Sequence, residues 1–384
     1  MDRRAFLTAS AVAATATVIK PAAAAESEGQ CGSTRVPLSP SEVHIESLDS
    51  RFKLSAAESV VERVATGFGI TEGPAYFAAG RYLVFSDVPN NRMMRLLEDD
   101  NHLSVFRQPS LNANGNTVDR QGRLCTCEHA GRRVTRTEHN GAITVIADRY
   151  NGKKLNSPND IVVASNDSVW FTDPTWGLQE LQGIAEQEKH NVFRVDGKTG
   201  EITVVADDIN QPNGVLFSPD EKKLYIIDDS NIWVFDVDID AGRLSNGKVF
   251  AGGFPGSTDG MRCDLDGNVW CSMGYGDPKE AGVYCYAPDG TLLARSACPR
   301  QPPISPSAAR CGTVCISAPP VPFMLATPTR GARHPVDAPI LQGGLDAQLG
   351  IWWRHPATME DNSARRGCRR TEAVTKAACG SGRG

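Results

Sequence analysis

The chain holds 384 residues, with 40 Lys plus Arg against 45 Asp plus Glu and a formal net charge of −5 at pH 7. That balance excludes a general electrostatic affinity for nucleic acid or anionic membrane, both of which need clustered positive charge. Apolar residues at 40% can bury a core, and 36 Gly with 24 Pro point to many turns and short elements rather than long helices.

The first 25 residues read as an export signal. Arg3 and Arg4 precede a mildly apolar run over residues 5–19, then Lys20, Pro21 and four alanines. The Arg-Arg-x-Phe-Leu order resembles a twin-arginine signal, an address read by the twin-arginine export machinery. The run falls short of the ~20 apolar residues a spanning helix needs, so the expectation is a periplasmic or secreted protein with no stable membrane anchor. Residues 26–55 read as an N-terminal linker.

A repeat begins after the linker. Five runs share one pattern: GRYLVFSD (80–87), GRLCTCEH (122–129), NDSVWFTD (166–173), EKKLYIID (221–228) and GNVWCSMG (267–274). Each is a turn followed by a β-rich strand that usually ends on a polar residue. With Asp87, His129, Asp173, Asp228 and Met273 as equivalents, the steps are 42, 44, 55 and 45 residues. Hairpins follow, with tips such as His139-Asn140-Gly141 and Pro288-Asp289-Gly290, residues that favour turns. About four strands in each unit of about 45 residues is the size of a propeller blade. The expected fold is therefore all-β, a β-propeller over residues 56–297 with five legible blades. The longer third step places an inserted loop between Trp176 and His190.

Just before the first strand of each unit stands the position with most chemical content. Glu72, Asn159, Asn213 and Asp259 precede their unit's reference residue by 15, 14, 15 and 14 residues. Innermost strands of a propeller surround its central channel, so matched positions converge at one end of the axis. Single Asn-Gly, Pro-Asn or Asp-Gly pairs are ordinary turn residues. Four at one phase in successive repeats are not. Two carboxylates and two amides suit a hard divalent cation, best calcium, which takes six to eight oxygen ligands at about 2.3–2.6 Å. Asn114 and Asn116 occupy the second unit's channel position and are candidates for substrate hydroxyls. His129 can contact substrate or relay a proton, although a structural hydrogen bond is the commoner use of such a residue. Trp176, opening the insertion, can wall a pocket. Asp119, Asp173 and Asp264 fit ordinary polar surface. The 11 cysteines include no paired C-x-x-C units, so they suggest neither a zinc site nor a disulfide framework.

From about residue 71 to 288 the chain resembles the senescence marker protein/gluconolactonase family of six-bladed propellers. The resemblance lies in TEGPAYF, FSDVPNNRMMRL, ANGNTVDRQGRLCTCEH, LNSPNDIVV, VWFTDP, PNGVLFSPDEKKLY and STDGMRCDLDGNVW. It implies a lactone hydrolase dependent on one divalent metal, commonly calcium, with a small-molecule lactone as substrate. By motif, Glu72, Asn213 and Asp259 would be metal ligands, Asn159 would face metal or substrate, and Asp259 would be the general base. Mammalian members carry Arg where this chain has Ser157, which bears on which lactone is bound. Two other readings share the scaffold: phosphotriester hydrolysis on the same metal, and a non-catalytic propeller binding a sugar or a protein partner.

Residues 298–384 break the pattern. They hold 11 of the 24 prolines, 5 of the 11 cysteines, ten Arg and one Lys. Prolines remove ladder donors and are poorly tolerated inside sheets. The expectation is a degenerate sixth blade, with out-of-frame translation of a GC-rich gene from near Ala294 as the favoured cause.

Overall fold

The computed structural model describes residues 32–37, 44–52, 62–228, 230–276, 280–297, 312–317 and 323–327. The export signal expected over residues 1–25 lies outside them. Among the described residues no helix is long and apolar enough to cross a membrane. Only one α-helix occurs there, the five residues Trp176–Glu180.

The rest is a β-propeller. Four-stranded antiparallel sheets are built, from channel to rim, by Thr71–Phe77, Tyr82–Asp87, Arg92–Leu97 and Leu103–Arg107, and then by Ala113–Val118, Leu124–Glu128, Arg133–Thr137 and Ile143–Ala147. The third blade is Ile161–Val163, Val169–Asp173, Asn191–Val195 and Ile202–Ala206; the fourth is Val215–Phe217, Lys223–Ile227, Asn231–Asp238 and Arg243–Gly252. The fifth comprises Gly256–Cys263, Val269–Gly276, Gly282–Tyr286 and Leu292–Ala297, with His44–Ser47 added at its rim. Each second strand is largely buried on both faces because it lies between neighbouring blades, and the apolar cores form there. Cys125 and Cys127 pack with Ile161, Phe171 and Phe193 between the second and third blades. Trp170 packs with Val215 and Leu224 between the third and fourth, and Ile227 with Met261 and Cys271 between the fourth and fifth. These cysteines are free and, Cys263 aside, buried.

Both ends of the described chain meet in a further sheet. Glu62–Phe68 pairs with Gly32–Pro37 on one side and Gly312–Ser317 on the other, and Phe323–Thr327 completes the hairpin. Val64, Ala65 and Phe68 of this sheet pack on Leu83, Phe85 and Met94 of the first blade. The stretch set apart as a linker thus supplies strands to two sheets. No clean strand-and-turn pattern is legible in the sequence after residue 298, yet two strands are described there. Gly312–Ser317 and Phe323–Thr327 alternate well enough to pair, and Pro319 and Pro320 fall between them rather than inside them. Leu292–Ala297 pairs with Gly282–Tyr286, and its last four residues pair with His44–Ser47, so regular pairing in the fifth blade runs to Ala297.

Candidate functional site

Register shows which channel residues correspond. Inner strands leave regular pairing at the same phase, with register shifts between Glu72 and Ala75, Ala113 and Asn116, and Thr258 and Met261. Irregularities of this kind re-aim side chains, and they recur beside functional sites. In the third and fourth blades the inner strand simply begins two residues after Asn159 and Asn213. Glu72, Asn114, Asn159, Asn213 and Asp259 then occupy one structural position in five successive blades. All five are buried, at 5%, 6%, 4%, 6% and 1% exposure.

Main-chain contacts join these positions around the channel. Asn116 donates from Nδ2 to the Gly73 carbonyl at 2.9 Å, and Gly115 N–H to Asn159 O at 2.7 Å. Thr172 Oγ1 donates to Asn213 O at 2.8 Å, Val215 N–H to Asp160 Oδ2 at 3.1 Å, and Gly214 N–H to Asp259 O at 3.0 Å. A Cβ at Gly73, Gly115 or Gly214 would lie 2.3, 2.3 or 2.4 Å from the next blade's carbonyl, which is why glycine follows these positions. Gly73 also has φ +50, a region that favours glycine. The series closes through Arg262, whose guanidinium donates to Pro74 O at 3.4 Å, from the fifth blade to the first. The four expected ligand residues thus stand at matched positions of blades that these contacts link in turn. Hydrogen bonds found for Asn159 and Asn213 among the described residues run through their main-chain atoms, which leaves the amide oxygens available to a ligand. A donor set of two carboxylates and two amides, walled by abutting main chain, has the chemistry of a hard-cation site. Among the described residues no three His, Cys, Asp or Glu gather in a way that would hold a metal.

The second blade departs from expectation. Glu128 pairs with Arg133 as Asp87 does with Arg92 and Asp173 with Asn191, so Glu128, not His129, is the counterpart of the strand-end aspartates. Its carboxylate binds Arg107 at 3.0 Å, Arg133 at 2.6 Å and Thr135 at 3.0 Å. His129 corresponds to Val88, both donating their N–H to the carbonyl two residues before Glu72 or Asn114. It is 3% exposed, and neither ring nitrogen finds a partner among the described residues, so the structural hydrogen bond expected for it is not made there. Burial pushes its pKa down to about 4. The helix Trp176–Glu180 covers it: a Cβ on Gly177 would lie 2.4 Å from His129 Cγ. Trp176 itself is half-buried at the start of that helix.

Asn116 does not face a ligand. It is wholly buried, with Nδ2 held by Gly73 O, Ser86 Oγ and Asn114 O and Oδ1 accepting from Thr126 Oγ1 at 2.8 Å. Its expected contact with substrate is replaced by a positioning role. Asn114 differs, for its Oδ1 is buried without a partner among the described residues. Ser157 is also buried, donating to Pro174 O at 2.7 Å. Asp173 is not polar surface: it is fully buried, its pKa pushed up to about 8 by burial. Asp119 is buried as well, paired with Arg123 at 2.8 Å, and Asp264 bonds Trp270 and Asn268. Sequence pattern could not find Asp160, whose carboxylate ties the third blade to the fourth and whose pKa burial raises. Its only signal was adjacency to Asn159.

Comparison with known proteins gives a consistent picture. Residues 70–310 match the profile described as SMP-30/Gluconolactonase/LRE-like region. A gluconolactonase of Zymomonas mobilis is 32% identical over 260 residues, 61% of this chain and 71% of that protein. A solved gluconolactonase of Xanthomonas campestris superposes with TM-score 0.63 at 33% identity, covering 69% of this chain and 88% of its own. The calcium-binding regucalcin of Agrobacterium tumefaciens, at 20% identity and TM-score 0.52, covers 66% of this chain and 83% of its own and shares the fold.

Proposed function

The chain belongs to the SMP-30/gluconolactonase/LRE-like family, and from that membership we propose that it hydrolyses a lactone at the channel end, with one divalent cation, calcium by donor chemistry, held by Glu72, Asn159, Asn213 and Asp259. The observation that carries the reading is the placing of these four buried oxygen-bearing side chains at one structural position in the ring.

A divalent cation bound there supplies electrophilic polarisation of the lactone carbonyl. The residues supply the rest. Glu72 and Asp259 provide the negative charge that favours a cation, and the two amides complete the donor set without adding charge. Asp259 takes the proton of the attacking water. As the ring C–O bond breaks, that proton passes to the leaving oxygen, giving the open hydroxy acid. A carboxylate that also binds a cation is a weak base, which suits a reactive cyclic ester better than an amide. Main chain packed around the site keeps the four side chains in place before substrate arrives.

An assay of several lactones and one organophosphate triester, in calcium and then in chelator, tests this. Lactone turnover that chelator removes and calcium restores is the expected result. Triester turnover without lactone turnover would favour the phosphotriesterase reading, and turnover of neither would favour a binding scaffold. The export signal stays a proposal, tested by whether residues 1–25 carry a reporter across the inner membrane only when Arg3 and Arg4 are intact.

A further inference from the structure

Successive inner strands touch at short range: Asn116 Nδ2 to Gly73 O at 2.9 Å, Gly115 N–H to Asn159 O at 2.7 Å, Thr172 Oγ1 to Asn213 O at 2.8 Å and Gly214 N–H to Asp259 O at 3.0 Å. The fifth blade and the first are far apart in sequence, and a long side chain joins their inner strands instead. Arg262 donates from Nη2 to Pro74 O at 3.4 Å, while Nη1 donates within its own strand to Met261 O at 2.8 Å. Strand alternation aims it there. Met261 packs with Ile227 of the fourth blade, so the next residue faces the other way. The charge of Arg262 is felt on the third blade as well: burial raises the pKa of Asp160, and the guanidinium works against that rise. Glu72 stands two residues before Pro74 and Asp259 three before Arg262, so the tie joins the two inner strands that carry the expected carboxylate ligands.

We infer that Arg262 is a positioning residue for the cation site: its guanidinium holds the strand of Glu72 to that of Asp259 and presets the spacing of the two carboxylates, an inference that deepens the proposed cation reading and rests on it. Like charges at matched positions repel, so the strands that carry them need a tie. A guanidinium suits the task. It stays charged at any working pH, and its fork of donors reaches the carbonyls of both strands at once. A charge with no positioning role would act in the opposite sense. Positive charge beside a cation site weakens cation binding by repulsion, so its removal alone would tighten binding. Removal of a tie loosens it.

Two measurements on the full chain decide the matter. The first is a calorimetric calcium titration of the parent, Arg262→Met and Arg262→Lys. The Met variant keeps the apolar stem and should bind calcium about three- to tenfold more weakly, as expected for a lost hydrogen-bonded tie. The Lys variant, which still donates, should recover part of that loss. Affinity equal to the parent's or tighter in Arg262→Met overturns the inference, even if its melting temperature falls, because the arginine would then be a structural tie only. The second measurement is thermal melting in chelator. Arg262→Ala should melt below the parent, and millimolar guanidinium chloride should raise the variant's midpoint, but not the parent's, relative to the same concentration of potassium chloride. No such rise overturns the tie. If Arg262→Ala does not fold, the comparison passes to the other two variants: Lys melting above Met supports the tie, and Lys equal to or below Met overturns it. Melting in chelator needs no calcium, so a parent that binds none, with guanidinium rescue intact, means that the cation reading alone has failed.

Discussion

Asp259 and Asn159 stand at the same place in different blades and should fail differently. Asp259→Ala removes one of two anionic ligands and the proposed base together, so turnover should fall by about 10³ or more and calcium affinity with it. Asn159→Ala removes a neutral donor and should lower turnover more than affinity; steady-state kinetics with calorimetry on both variants separates the cases. His129 and Asp173 make opposite contributions to pH dependence. The histidine's ordinary value of 6.5 drops to about 4 in the fold, so the unfolded chain binds more protons between those values. Stability is therefore present above pH 6.5 and lost as pH falls toward 4, by at most about 3 kcal/mol. Denaturant midpoints at pH 7 and pH 4.5 should lie closer together in His129→Phe than in the parent. Asp173 rises from 3.8 to about 8, so the folded state binds the extra proton and stability falls as pH rises through that window. Asp173→Asn should raise the midpoint at pH 9 relative to the parent, and an unchanged difference between pH 5 and pH 9 would refute this. None of these burials could be read from the sequence. A strand-end aspartate looks the same whether its partner is Arg92, as for Asp87, or a main-chain N–H, as for Asp173.

Period and phase were legible because they are enforced by packing: a second strand between two blades is buried on both faces and rich in apolar residues, and glycine stands at 73, 115 and 214, where the next blade's carbonyl abuts. The one-residue error in the second blade arose because strand ends carry no periodic signal. Glu128 and His129 are both polar, and only the pairing of Glu128 with Arg133 shows which one corresponds to Asp87. Contact around the channel also yields a contrast between glycines. Gly73→Ala would place a Cβ 2.3 Å from Asn114 O at φ +50, whereas a Cβ at Gly260 meets nothing within 4 Å. Gly73→Ala should cost well over about 1 kcal/mol and weaken calcium binding through Glu72, while Gly260→Ala should stay within about 0.5 kcal/mol in stability. Equal melting shifts in the two variants would mean that the abutting main chain does not hold the site.

Closure of the ring was the least legible feature, because it depends on pairing between residues far apart in sequence. His44–Ser47 covers the rim strand of the fifth blade, and Glu46 pairs with Arg295 at 2.7 Å; Glu62–Phe68 lies against the first blade. Short alternating runs flanked by proline, such as Gly312–Ser317, give too little pattern to be recognised without the strand they join. The out-of-frame origin proposed for residues 298–384 concerns a stretch that lies mostly outside the described residues. Resequencing the gene around codon 294 should reveal a single-base shift whose correction encodes alternating strands, and the corrected protein should be more soluble, as an exposed blade edge invites aggregation. If no frame there encodes such alternation, the tail is genuine. The proposed cation site is independent of that outcome, since Glu72, Asn159, Asn213 and Asp259 all lie within the five blades. Its most direct test is a calorimetric calcium titration of the parent and of the double variant Glu72→Gln/Asp259→Asn, which keeps side-chain shape and removes both charges. One calcium bound per chain in the parent and none in the double variant is the predicted result; calcium bound equally well by both would contradict the account.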